Sequence, residues 1–202
     1  MHGPDLESID ELLDARFRAR EAAITGSRRV IRNSANCIRA LHRSEWAEAD
    51  RLLAGAKTEL ESITAALEGH PELSAAGFVV DAAKEYAEAA ITRAVFLDEE
   101  IPGFVNLGMD PVPYLHGLGE AVGEMRRRML DLLRGADLES AERLLGEMDE
   151  IVDLLAQVDY PDGMTNGLRR TTDVSRSLVE RSRADLTATV VQERLRKDLG
   201  AT

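Results

Sequence analysis

The amino-acid sequence predicts an all-α protein, an elongated antiparallel bundle of about six to seven helices. Ala, Leu, Glu and Arg dominate the composition, and these residues favour helices, whereas aromatic residues make up only 4% of the chain. Apolar residues recur at helical spacing over long stretches, and no segment alternates with the period of a strand. Because no low-complexity linker divides the 202 residues, we expect a single domain over residues 1–202.

Three long helices are predicted in the first half of the chain, over residues 8–43, 45–69 and 71–98. Ser44 is a good N-cap for the second helix, and Pro71 suits the first turn of the third, which Gly77 can bend. The first helix is long enough to cross the whole molecule. Its apolar stripe consists of Leu12, Leu13, Phe17, Ile24, Val30, Ile31, Ile38 and Leu41.

Three further helices are predicted in the second half, over residues 111–134, 138–157 and 164–197. Asp110, which precedes a proline, caps the first of them, and Asp137 caps the next. The Pro- and Gly-containing segment 101–110 is predicted to be a loop, and residues 160–163 a turn. The last helix either continues through Thr187 or breaks near it.

Charge and cysteine content narrow the function classes. The formal net charge is −12, which excludes a generally basic nucleic-acid binder but leaves room for a local basic patch. The single cysteine, Cys37, excludes an intrachain disulfide and is interpreted as a small buried side chain. The N-terminal residues lack the features of a signal peptide, and no stretch reaches about 18 apolar residues, so we expect a cytoplasmic protein.

Two glutamate pairs are the strongest candidates for chemistry. Glu85 and Glu88 are three residues apart, Glu120 and Glu124 are four apart, and both spacings put the members of a pair on one helix face. The two stretches flank a loop, so they are expected on neighbouring helices. Four carboxylates gathered at one point make a site for a hard divalent cation. The alternative is that all four are solvated surface charges.

The residues around the second glutamate pair are unusual for an exposed helix. Gly117, Gly119 and Gly123 fall within seven residues, and each costs the helix up to about 1 kcal/mol, which indicates close packing or a binding site. His116 precedes Glu120 by four residues and lies on the same stripe. It is either a proton-transfer group or ligand beside the carboxylates, or a partly buried packing residue.

A basic face is predicted on the first helix. Its members fall within about 60° of one another at 100° per residue, with His42 beside the last of them: Arg28, Arg32, Arg39 and Arg43. No acid occurs in residues 22–44, although the chain as a whole is acidic. The face therefore either binds a phosphate backbone or is solvated. Arg127 follows the second glutamate pair and is a further candidate for a phosphate contact.

Several segments resemble the translin family, and within it the branch of translin-associated factor X (Trax). They are IRALHR at 38–43, EYAEA at 85–89, PVPYLHGLGEAVGEMRR at 111–127, and GLRR with VERSRADL within 167–186. The Tyr-Leu-x-Gly segment followed by Gly-Glu-x-x-Arg is the strongest of them. Glu120 stands where the family more often has Asp.

The resemblance implies an all-α fold that assembles into hollow oligomers, typically octamers. Subunits of the translin type bind RNA and single-stranded DNA, and Trax-type subunits add a Mg²⁺-dependent endoribonuclease site. The acids of that site match Glu85, Glu88, Glu120 and Glu124, which the resemblance thus makes both metal ligands and catalytic residues, with Mg²⁺ or Mn²⁺ as the cofactor.

Three functions are therefore considered. The leading interpretation is a metal-dependent endoribonuclease that acts on single-stranded or processed RNA inside a homo-octamer. The alternative is a non-catalytic module that binds RNA or single-stranded DNA. A helical scaffold whose acids form salt bridges between subunits is the third. Metal-dependent cleavage separates the first from the second, and salt-dependent nucleic-acid binding separates the second from the third.

Overall fold

The computed structural model describes residues 5–200, and within this range the protein is all-α, as the sequence predicts. Between residues 5 and 200, six long helices and three single-turn helices follow one another. Their bounds are α1 Leu6–His42, α2 Trp46–Ala66, α3 Pro71–Ser74, α4 Gly77–Phe96, α5 Phe104–Leu107, α6 Pro111–Arg134, α7 Leu138–Ala156, α8 Asp162–Thr165 and α9 Leu168–Gly200. None of the helices within 5–200 is both long enough and apolar enough to cross a bilayer.

The chain divides into two compact units, Met1–Ala89 and Ala90–Thr202, and the division falls inside α4. In the first unit α1 and α2 run antiparallel. Gly26 of α1 lies against Ile63, Arg29 forms an ion pair with Glu59 at 2.9 Å, and position 33 approaches position 55. As the residue number rises along α1 it falls along α2, which defines the antiparallel pairing.

The core of the first unit occupies only part of the apolar stripe predicted on α1. Val30, Ile38 and Leu41 are buried there. The N-terminal end of the stripe is not core: Leu13 is 54% exposed and Phe17 is 62% exposed. The first turns of the predicted apolar stripe of α1 therefore lie outside this core.

In the second unit α6, α7 and α9 pack on one another. Contacts between α6 and α9 join residues of rising number on both helices, so these two helices run in the same direction. The helix α7 lies between α6 and α9 in the chain. Asp149 of α7 binds Arg183 of α9 at 2.6 Å. The core is lined by apolar side chains of all three helices, among them Met125, Met148 and Val179.

Local capping explains the starts of α6 and α7. Asp110 accepts a hydrogen bond from the Val112 N–H at 2.9 Å, and Asp137 accepts one from the Ser140 N–H at 3.1 Å, as the sequence predicts. Ser44 is not the cap of α2. It lies in the left-handed region with φ 57°, and its N–H donates to the Leu41 carbonyl, so it closes α1 instead.

Three further expectations are corrected by the structure. The helix predicted over 71–98 is interrupted at residues 75–76, and the single turn α3 precedes α4. The segments 101–110 and 160–163 are not wholly irregular, because they contain α5 and the start of α8. The last helix begins at Leu168 and continues unbroken past Thr187, whose hydroxyl donates to the Arg183 carbonyl within the helix.

Candidate functional site: two glutamate pairs and a basic face

The first glutamate pair lies on α4. Glu85 and Glu88 are about 60° apart around the helix. Glu88 is only 9% exposed, and the Glu85 side chain is 26% exposed, with an oxygen 3.4 Å from Lys84 Nζ. Glutamates are rarely buried unless a cation or hydrogen-bond donors balance the charge. Both carboxylates of this pair are thus largely withdrawn from solvent.

The second glutamate pair lies on α6. Glu120 is half-buried, and the Glu124 side chain is 25% exposed. Arg127 Nη1 lies 3.8 Å from a Glu124 oxygen, one helical turn away, and the Arg127 side chain is 59% exposed. A carboxylate pair with an exposed guanidinium beside it can present oxygens to a cation and positive charge to a phosphate.

The donor set fits a hard divalent cation. All four side chains end in carboxylates, and Mg²⁺ and Mn²⁺ prefer oxygen ligands of this kind. Each pair has the same-face spacing on its helix that two ligands to one ion require.

Polar contacts with α9 hold α6 in place, and we call this set of contacts the α6–α9 seam. His116 Nδ1 is 2.9 Å from the Thr171 hydroxyl, and its Nε2 is 2.9 Å from the Thr165 carbonyl oxygen. Because a carbonyl only accepts, Nε2 carries the proton and donates to it. Both ring nitrogens thus bind partners inside the second unit. Of the two interpretations that the sequence left open for His116, this agrees with the partly buried packing residue.

Small residues complete the α6–α9 seam. The Ser175 hydroxyl donates to the Gly119 carbonyl at 3.0 Å, and a Cβ on Gly119 would lie 2.3 Å from Thr171 Cγ2. The glycine at this position therefore serves close helix packing. The stripe that carries Glu120 and Glu124 points roughly 100° away from the seam around α6.

The three consecutive arginines of α6 have three different environments. Arg126 belongs to the seam, since its guanidinium donates to the Ser182 hydroxyl at 2.9 Å and to Asp185 at 2.7 Å. The Arg128 guanidinium lies 5.7 Å from the centre of the Phe96 ring. Arg127 is the one of the three that lies beside the second glutamate pair.

The basic face of α1 is exposed, but its members differ in how free they are. Arg28 and Arg32 are exposed, and no carboxylate of residues 5–200 lies within ion-pair distance of either. Arg39 donates to the Asn36 side chain. Arg43 is held by Glu45 through two hydrogen bonds of 2.8 and 2.7 Å, which raise the pKa of its guanidinium. His42, the remaining candidate, is half-buried.

A second basic surface on α9 was not singled out by the sequence analysis. A groove of about 740 Å³ runs along the start of this helix. Arg169, Arg170 and Arg181 line it, together with Asp162 and Asp173. Arg181 donates to the Ser177 hydroxyl at 2.9 Å. The signal in the sequence was the recurrence of arginine at positions 170 and 181, which fall about 20° apart on a helix.

Comparison with known proteins places this architecture in a family. No protein-family model matches the chain. The uncharacterised protein MJ0175 of Methanocaldococcus jannaschii is 28% identical over 196 residues, which cover 96% of this chain and 87% of that protein. Two solved structures of AfC3PO from Archaeoglobus, one in complex with duplex RNA, share 31% identity with it.

The structural agreement covers nearly the whole chain. The AfC3PO structures superpose with TM-scores of 0.84 and 0.85 over 93% of this chain and 97% of theirs. The structure of apo-NeC3PO from Neurospora has a TM-score of 0.84 at 19% identity, over 94% of this chain and 99% of its own, and so supports the fold alone. The identity to AfC3PO, over almost the full length of both chains, shows that this chain belongs to the translin family.

Proposed function

We propose that the protein is a metal-dependent endoribonuclease that acts on single-stranded or processed RNA within a translin-type oligomer. The observation that carries the proposal is the pair on α4, in which Glu88 is 9% exposed and Glu85 is half-buried. Two carboxylates on one helix face, partly withdrawn from solvent, present oxygen ligands of the kind that a hard divalent cation binds. The relationship to AfC3PO, which has been solved in complex with duplex RNA, supports RNA as the class of substrate.

In this proposal Glu85, Glu88, Glu120 and Glu124 hold Mg²⁺ or Mn²⁺. The bound ion would activate a water molecule and stabilise negative charge on the phosphoryl oxygens. Glu88 or Glu120 accepts the proton of the attacking water. Arg127, exposed beside Glu124, binds a phosphate of the substrate.

The basic face of α1 is proposed to hold the RNA backbone. Arg28 and Arg32 have no ion-pair partner among residues 5–200, and the face extends toward the end of the helix through Arg39, His42 and Arg43. Contacts to phosphates carry no direct sequence information, so binding is expected to show little sequence preference and to include single-stranded DNA. Membership of the Trax-like branch, assembly into a homo-octamer and a cytoplasmic location belong to the same proposal.

A cleavage assay on labelled single-stranded RNA tests the proposal. We expect cleavage with Mg²⁺ and none with a chelator. Glu124→Gln removes one charge at nearly constant shape, so turnover should fall by at least about a hundredfold while RNA affinity stays within several-fold. Glu150→Gln is the matched control, because Glu150 is an exposed glutamate of α7 and its loss should change neither quantity.

The other outcomes distinguish the remaining functions. Unchanged turnover in Glu124→Gln would remove the catalytic assignment. Salt-dependent RNA binding without cleavage in any divalent metal would instead support the non-catalytic binding module. The absence of both binding and cleavage would leave the helical scaffold.

A further inference from the structure

The first turns of α1 form an arm with almost no packing of its own. Every residue from 5 to 18 is exposed, and the arm spans about 20 Å. The one ion pair that the structure gives from the arm to another helix joins Arg16 Nε to Glu72 at 3.1 Å. The arm continues the packed part of α1 but gains little stability from packing of its own, so a partner that covers it would stabilise it.

The arm presents an apolar stripe to solvent. Exposure ranges from 46% to 65% for five large side chains: Leu6, Ile9, Leu12, Leu13 and Phe17. Such a cluster at helical spacing is typical of a surface that another protein covers. The stripe is flanked by acids, of which Glu7, Asp10 and Glu11 have no ion-pair partner within residues 5–200.

The C-terminal end of α9 has the complementary properties. Val191, Leu195 and Leu199 recur every four residues and are 58%, 57% and 70% exposed. Arg194 and Lys197 lie between them in sequence, and neither has a carboxylate within ion-pair distance in the described part of the chain. Arg196 is paired with Glu193, and Asp198 adds one acid, so this end of α9 is an exposed apolar stripe with a small excess of positive charge.

We propose that the acidic arm of α1 docks on the basic C-terminal end of α9 in a second copy of the chain. Two apolar stripes would cover each other, and the acids beside one would meet the bases beside the other. Two copies pairing through their arms alone would instead bring like-charged acids together. The two surfaces differ, so the arm of one copy meets the α9 end of another, either reciprocally in a two-fold pair or from copy to copy around a closed ring.

This inference rests on the oligomer of the proposed function and assigns residues to its contacts. The first test is Leu13→Glu, examined by size exclusion coupled to light scattering across a dilution series. Wild type should show a mass that is a multiple of 22.2 kDa. The variant should need at least about tenfold higher concentration to assemble, because docking would bury an unpaired charge.

Val105→Glu is the matched control. Val105 is 75% exposed on α5, outside both stripes, so the same change there should leave assembly as in wild type. Circular dichroism checks that both variants keep their helix content. Assembly of Leu13→Glu at wild-type concentrations would overturn the proposal, and so would an equal loss in Val105→Glu.

Charge reversal tests which surfaces meet. Asp10→Arg and Arg194→Glu should each weaken assembly, and the double variant should recover most of the loss. The pairing of α1 with α9 would be refuted by a double variant that assembles no better than the more impaired of the two single variants. A wild type that stays at 22.2 kDa but still cleaves RNA would refute the interface and leave the catalytic proposal standing.

Discussion

Substitution of Gly119 by alanine tests how closely α6 packs on α9. The added Cβ would lie 2.3 Å from Thr171 Cγ2 and 3.3 Å from Ser175 Oγ, so the neighbours must move. The Thr171 methyl cannot rotate away at no cost, because the hydroxyl on the same carbon is hydrogen-bonded to His116 Nδ1 at 2.9 Å. Turning the side chain to relieve the clash breaks that bond.

The expected loss follows from three contributions. Overpacking a filled helix interface costs about 1–3 kcal/mol, and the lost hydrogen bond about 1 kcal/mol more. The higher helix propensity of alanine offsets this loss by about 1 kcal/mol relative to glycine in a helix interior. The free energy of unfolding should therefore fall by about 1–3 kcal/mol. Gly123→Ala is the control, since its Cβ would meet only Leu178 Cδ1 at 3.9 Å, and it should gain about 0.5–1 kcal/mol.

Urea unfolding followed by circular dichroism measures both variants. Protein concentration must be held constant, because the stability of an oligomer depends on it. We expect the midpoint to move down for Gly119→Ala and up for Gly123→Ala, with similar slopes. A Gly119→Ala protein as stable as wild type would show that the seam yields easily and refute the packing argument. Equal losses at both positions would refute it as well.

Two further predictions concern charge. Arg28→Glu combined with Arg32→Glu should weaken RNA binding for all sequences and lower the slope of log affinity against log salt by about 2, as measured by fluorescence anisotropy. Arg134→Glu is the control, because Arg134 is a highly exposed arginine of α6. An unchanged slope in the double variant would mean that the α1 face is merely solvated. Burial raises the pKa of Glu147, and the charges of Asp98 and Glu150 raise it further. Because the folded pKa lies above the unfolded one, ionised Glu147 costs stability at neutral pH, and this cost disappears below the unfolded pKa of about 4.3. Glu147→Gln should thus have a higher urea midpoint than wild type at pH 7 but the same midpoint at about pH 3.5. A higher midpoint that persists at about pH 3.5 would exclude burial of the charge as its cause.

The parts of the fold that local chemistry decides could be predicted from the sequence. The predicted bounds 111–134 agree with α6, because Asp110 and the following proline fix the start within one turn. The same holds for the start of α7 at Asp137. Ser44 shows the limit of this reasoning: serine favours a helix cap, but here the left-handed conformation that ends α1 is what the tight connection requires.

The parts that depend on distant residues could not be predicted. Same-face spacing is a property of one helix, so the placement of the glutamates within each pair followed from the sequence alone. The partners of His116 are Thr165 and Thr171, 49 and 55 residues further along the chain, and periodicity contains no information on them. The exposure of Leu13 and Phe17 is a similar case, because an apolar stripe has the same pattern whether it faces its own core or another molecule.

The contact between α6 and α9 has a consequence for how mutations should be distributed. Hydrogen bonds are directional, so the bonds of His116, Gly119 and Arg126 to α9 fix the rotation of α6 about its axis, whereas apolar packing alone would tolerate a twist. The orientation of Glu120 is thus determined by the contacts that neighbouring positions of its helix make with α9. Sensitivity to substitution should extend to small polar residues of α9 such as Ser175, which never approach the carboxylates yet determine the direction in which they point.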